Sequence, residues 1–257
     1  YGAEMRLLAV APYTPAVAYP AYRALHRLHR ARAPLREGVR RVRGTPAHTD
    51  SRWYAAQLRR PLDPHLVLYG SGHLCGISGD PAAVHERARQ LAPELHGVWV
   101  VRPEAVRCVP PDVDCVTVGS RRYYEVTARA TYWVNNVNWP GSLVKRPGMV
   151  HIHTHLGTPL KHMALDLLDH PGARYGFDVR AMLRRADRWD VSLAAGRYAE
   201  EVWQRAYPCR FRSLRSGSPR NDVLVNSARG VGAYSTTVLL SGMPRRWRTA
   251  AAREMAS

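Results

Sequence analysis

Apolar positions along this chain gather into short runs, separated by glycine turns or by longer stretches with helical spacing. His65-Leu66-Val67-Leu68-Tyr69 predicts a strand, Gly70-Ser71-Gly72 a tight turn, and Pro81 to Leu91 a helix that opens after Asp80 as its N-cap. Val98-Trp99-Val100-Val101 and Val116-Thr117-Val118 predict two more strands, followed by a helix from Ser120 to Ala130 and a fourth strand at Tyr132-Trp133-Val134. Val150 to Thr154 continues as a fifth strand. Met182 to Ala186 and Arg197 to Ala206 are helical in pattern, with Trp189-Asp190-Val191-Ser192 as a short strand between them. This alternation predicts an α/β fold with a Rossmann-like, doubly wound parallel sheet. No internal repeat or low-complexity tract is present.

A chain of 257 residues with 46% hydrophobic residues can bury an ordinary core. Leu7 to Ala21 is apolar but too short to cross a bilayer, and Pro12, Pro15 and Pro20 interrupt it. The start lacks the pattern of a signal peptide. Tyr1 in place of methionine suggests a fragment, a processed chain or an internal portion of a longer protein. Cys75, Cys108, Cys115 and Cys209 have no C-x-x-C spacing, so they read as reduced thiols in a cytosolic chain rather than a zinc ribbon or redox pair.

Charge changes the picture more. The net charge is +18, and because Lys145 and Lys161 are the only lysines it is carried almost wholly by arginine. Such a surface favours phosphate-rich partners: nucleic acid, anionic lipid, a nucleotide sugar or a polyphosphate polymer. Nucleic acid rests on charge alone, since no helix-turn-helix, RNP-like strand or zinc finger is readable, and none is expected as a partner. Tyr22 to Arg43 is helical in pattern and carries eight arginines against the single acid Glu37. At roughly 1 kcal/mol per arginine near an acidic leaflet, it would hold the chain to an anionic membrane; a solvated basic linker is the equal alternative. Gly44 to Ser51 reads as a loop.

Three places carry candidate chemistry. His151, His153 and His155 alternate, so a strand running through all three would turn their imidazoles to one face, as a metal-dependent hydrolase would require. His162, Asp166, Asp169 and His170 would be the nearby ligands. Packing at the end of a buried strand is the competing reading of His151 and His153. Gly157-Thr158-Pro159-Leu160-Lys161 follows a strand end, where open α/β sheets place ligands; its glycine permits close approach, and Thr158 and Lys161 offer a hydroxyl and a cation. Asn135-Asn136 ends another strand with two amides that suit polyol hydroxyls or phosphate oxygens. In Ser218-Pro219-Arg220-Asn221-Asp222, Arg220 can grip a phosphate bidentately, and Asp222 can cap a helix or hold Arg220; a purely structural hinge is the equal alternative. Arg129, Lys145 and Arg146, close to these motifs in sequence, would draw in an anionic acceptor.

Taken together, Asn135-Asn136, Gly157 to Lys161 and Ser216 to Asp222 resemble the CDP-glycerol:poly(glycerophosphate) glycerophosphotransferase family of teichoic-acid-type polymerases. Gly70 and Gly72 resemble the glycine turn of its catalytic region. The resemblance covers roughly Leu66 to Val225 and implies one half of a glycosyltransferase B-type architecture, the acceptor side. On that basis residues 1–64 form a basic N-terminal segment, 65–225 the Rossmann-like domain, and 226–257 a tail or the start of a reduced second domain, leaving the nucleotide half absent or short. The implied reaction transfers glycerol phosphate from CDP-glycerol to a membrane-anchored polyol-phosphate polymer, at the inner face of the membrane and with neither cofactor nor metal. The implied substrate-binding residues are Gly70, Gly72, Asn135, Asn136, Gly157, Thr158, Lys161, Arg220 and Asp222. The family motif has a histidine base immediately before the Gly-Thr-Pro-Leu-Lys run. Here Leu156 occupies that position and His155 is the neighbouring candidate base. Further departures are Ser218 for tyrosine, Ala164 for glycine, and Ala194-Ala195-Gly196 for a Ser-x-Asn-like element. A binding module that has lost catalysis is the alternative implied by Leu156.

Overall fold

The computed structural model describes residues 46–170 and 178–226; the basic stretch from Tyr22 to Arg43, the Leu7 to Ala21 segment and the tail from residue 227 lie outside the described residues. Seven strands form one all-parallel sheet: β1 (Asp63–Gly70), β2 (His96–Val101), β3 (Cys115–Thr117), β4 (Ala130–Asn135), β5 (Val150–His153), β6 (Val191–Ala194) and β7 (Arg212–Arg215). Their order is β3-β2-β1-β4-β5-β6-β7, so the chain winds outward from β1 in one direction, then returns to start β4 on its other side. This is the doubly wound arrangement expected, with its reversal of strand order between β1 and β4.

The period of two along the strands sorts side chains to the two faces. Val67 and Tyr69 of β1, with Trp99, Tyr132, Val134 and Ile152, pack against Val84 and Ala88 of α2 (Gly79–Leu91). Leu66 and Leu68, with Val98, Val100 and Trp133, pack on the other face against Tyr54 of α1 (Pro46–Gln57) and Tyr123 and Val126 of α3 (Arg121–Arg129). Each valine, leucine or isoleucine fully buried among them contributes roughly 1.5–3 kcal/mol. A third cluster joins α4 (Val179–Ala186) and α5 (Arg197–Ala206) through Leu183, Trp189 and Trp203.

Three expectations change. Residues 46–51 are helical rather than a loop, and α1 packs on α3, so the fold extends N-terminal to residue 65. Asp80 is not the N-cap of α2; Ser78 is, and Asp80 lies within the first turn. An edge strand, β7, also extends the sheet beyond the elements expected. The β4–β5 connection has no helix and is pinned instead by Arg188, which donates to the carbonyls of Trp139, Pro140 and Leu143 at 2.5–3.0 Å. Among the described residues no helix is long and apolar enough to cross a membrane, and all four cysteines are unpaired thiols.

Candidate functional site

Because every strand runs the same way, all the loops that follow strands emerge at one edge of the sheet, and the residues singled out in sequence sort by that rule. Gly70 to Leu74, Asn135-Asn136, Gly157 to Lys161 and Ser216 to Asp222 all follow strand ends and share the C-terminal edge. Arg129, Lys145 and Arg146 do not. They precede β4 and β5, at the opposite edge, where Arg129 faces Glu125 and Asp63 at 3.6 and 3.9 Å, Lys145 pairs with Asp190 at 2.5 Å, and Arg146 donates to Ala128 O. Their expected role in drawing an anion to the site is corrected accordingly.

At the switch point the loop after β1 is built around Ser71, whose Oγ donates to Gly76 O at 2.7 Å and accepts from Ser78 N at 3.1 Å. Gly72, His73 and Leu74 follow in succession with φ of 47°, 57° and 67°. Left-handed non-glycine residues cost of order 1–3 kcal/mol each and gather at functional sites. His73 is exposed there. Asn136 braces this loop, accepting from Gly72 N at 3.1 Å through Oδ1 and lying against Gly79 through Nδ2. Gly70 is small for packing: a Cβ there would meet the Trp139 ring at 2.6 Å.

Asn135 serves the scaffold. It is fully buried, its Oδ1 accepts from His151 Nε2 at 2.9 Å and His153 Nδ1 at 3.2 Å, and its Nδ2 donates to Val137 O. The strand ends at His153, and His155 takes φ 57°, so the alternation through three histidines breaks before the third. His153 stacks flat on Trp189 and His155 on Trp203, both at 4.0 Å, and His155 Nε2 meets Ser192 Oγ at 2.7 Å. Burial holds all three imidazoles below their ordinary pKa, His153 at about 3. Asp166, a supposed extra ligand, is taken bidentately by Arg205 at 2.9 Å. No group of three or more His, Cys, Asp or Glu among the described residues is arranged to hold a metal ion, so the hydrolase alternative has no site there.

The Gly157 turn and the Ser-Pro-Arg-Asn-Asp segment meet in space. Gly157 has φ 131°, and a Cβ built on it would collide with Arg220 Nη2, so only glycine leaves room for the guanidinium. Thr158 and Lys161 are exposed beside it, and Leu156, 56% exposed, stands in the open where His155 does not. Pro159 O accepts from Tyr198 OH at 3.1 Å, fastening the turn to α5. Ser218 is buried, its hydroxyl donating to Asp80 Oδ1 at 2.7 Å, and Asp222 is buried at the start of α6 (Asp222–Asn226). Ala164, where glycine was expected, has φ 51°, which explains that preference. Sequence reasoning passed over His73 and undervalued Asp80. The signal for His73 was a histidine inside the turn after the first strand, at the switch point.

The edge therefore carries the exposed imidazoles of His73 and His162, two exposed cations and a hydroxyl around turns of unusual backbone, a set suited to phosphate and hydroxyl groups. The sequence profile of the CDP-glycerol:poly(glycerophosphate) glycerophosphotransferases matches residues 52–238. The teichoic acid poly(glycerol phosphate) polymerase of Staphylococcus epidermidis is 31% identical over 170 residues, 65% of this chain and 24% of that protein. The Bacillus subtilis polymerase of the same name is 30% identical over 173 residues, 65% of this chain and 23% of its own. The chain thus spans about a quarter of the length of these relatives. A solved structure of the wall teichoic acid polymerase TagF superposes with a TM-score of 0.62 at 29% identity, covering 70% of this chain and 45% of that one. A TagF variant soaked with CDPG gives 0.62 at 28%, with the same coverage.

Proposed function

Because the chain belongs to the CDP-glycerol:poly(glycerophosphate) glycerophosphotransferase family, we propose that it acts in the transfer of glycerol phosphate from CDP-glycerol to the terminal hydroxyl of a polyol-phosphate polymer, in teichoic-acid-type cell-wall synthesis. The doubly wound domain is the acceptor side of that reaction, and the arginine-rich stretch from Tyr22 to Arg43 supports peripheral attachment to the anionic inner face of the membrane. The observation that carries the reading is the meeting of the Gly157 turn with Arg220 at the C-terminal edge of the sheet.

The acceptor oxygen attacks the phosphorus that bears glycerol, the bond from that phosphorus to the bridging oxygen breaks, and CMP leaves with the electron pair. The hydroxyl proton goes to a base. Of the imidazoles beside these turns, His73 and His162 are exposed and His155 is buried against Ser192; His73, held in the left-handed loop at the switch point, is the proton acceptor proposed in place of His155. Arg220 and Lys161 offset charge on the phosphates, and Thr158 offers them a hydroxyl. Leu156 leaves the expected imidazole missing from an exposed position. That single feature favours the other reading, an acceptor-binding module with impaired catalysis.

CMP release from CDP-glycerol with a lipid-linked glycerophosphate acceptor separates the two. Acceptor-dependent release that falls at least about 100-fold in His73→Ala and rises in Leu156→His supports transfer. Silence in all three proteins, with polymer binding intact, supports the binding module. Release indifferent to both substitutions contradicts His73 as the base and Leu156 as the position of a lost one.

A further inference from the structure

Asp80 is only 2% exposed and occupies the first turn of α2. Its carboxylate turns away from its own helix. Oδ1 accepts from the Ser218 hydroxyl at 2.7 Å and from the backbone N–H of Arg220 at 3.0 Å, residues 138 and 140 positions further along the chain. A buried carboxylate is costly unless hydrogen bonds and positive potential compensate it; here burial outweighs them and raises the Asp80 pKa above its ordinary value, while the two donors and the Arg220 charge offset part of that cost. Pro81, the next residue, has no N–H to satisfy, which removes one donor that an acidic side chain in this turn would otherwise serve.

Anchoring Arg220 at its backbone fixes where its side chain leaves the main chain, and its guanidinium then crosses the bare Cα of Gly157. Asp80 follows directly from the loop that presents His73. One carboxylate oxygen thus joins the start of α2, just after the switch-point loop, to the segment after β7, and the Arg220 side chain carries that link over the turn after β5.

We infer that Asp80 is a positioning residue, which holds the Arg220 guanidinium over Gly157 where it receives a phosphate of the polyol-phosphate chain. The inference rests on the proposed role of Arg220 as a phosphate ligand. A helix-capping role alone would leave Arg220 indifferent to the identity of residue 80, so the two are separable by experiment.

Hydrogen exchange of the Arg220 amide reads the latch, and titration with a soluble glycerol-phosphate oligomer reads its consequence. In Asp80→Ala, exchange at Arg220 speeds at least about tenfold and the Kd for the oligomer rises about tenfold. Asp80→Asn, whose amide oxygen accepts both bonds without the charge, restores both to within about threefold of the native protein. Ser218→Ala, which removes one of the two bonds, falls between, and it carries the test should Asp80→Ala not fold. On an Arg220→Ala background Asp80→Ala adds nothing to the Kd. Unchanged exchange in Asp80→Ala, or penalties that multiply with Arg220→Ala, overturns the inference. Faster exchange in Asp80→Ala together with native binding by Arg220→Ala keeps the latch and overturns instead the phosphate role of Arg220.

Discussion

His151, His153 and His155 hold the C-terminal edge together as neutral rings, through Asn135, Ser192 and two tryptophan faces, and this makes stability depend on pH. Desolvation depresses all three pKa values, that of His153 to about 3 from the ordinary 6.5. Above pH 6.5 neither folded nor unfolded chain protonates them, so the full stability is present. As pH falls below 6.5 the unfolded chain takes up protons that the native state refuses, so stability is lost at each of the three rings, for His153 until pH reaches about 3. Urea unfolding should therefore show a drop of several kcal/mol between pH 7.5 and pH 5. A flat profile over that window would mean the imidazoles are solvated. Of these residues the sequence announced the histidines but not their fate, because alternation along a strand shows which side chains share a face and says nothing of the left-handed turn at His155 that ends it.

At the scale of elements, the strands buried on both faces were readable as unbroken apolar runs, as β1, β2 and β4 illustrate. β7 was not, since Arg212-Ser213-Leu214-Arg215 is a half-exposed edge strand with charged ends, which resists edge pairing and hides the strand signal. Nor was α1, whose helicity owes more to packing on α3 than to its own sequence. The turns of the site were visible because their chemistry is local. What joins them, Asp80 to Ser218 and Gly157 to Arg220, depends on contacts across the whole topology and left no local trace. The turn ahead of α4 shows the same logic. Ala164 sits buried at φ 51°, a conformation that costs an alanine roughly 1–2 kcal/mol, so Ala164→Gly should raise stability by about 1 kcal/mol, or about 3 °C in Tm, after the lost methyl contact is counted. A lower Tm would show that packing outweighs backbone strain there.

Over the whole molecule, sequence charge and sheet topology answer different questions. A net charge of +18 attracts any polyanion, whereas the parallel sheet decides which cations face the loops: Lys161 and Arg220 are at the C-terminal edge, and Lys145, Arg129 and Arg146 are committed at the other. Diffuse attraction would fall steeply with salt and yield to any competing polyanion. A built site would depend on individual residues. The deciding measurement is the affinity of a fluorescent glycerol-phosphate oligomer for the native chain, Lys161→Ala and Arg220→Ala, each in excess duplex DNA at physiological salt. Native binding is expected to survive the DNA, and each substitution to raise Kd about tenfold. Displacement of the oligomer by DNA, with both variants binding as well as the native chain, would contradict a built phosphate site at this edge.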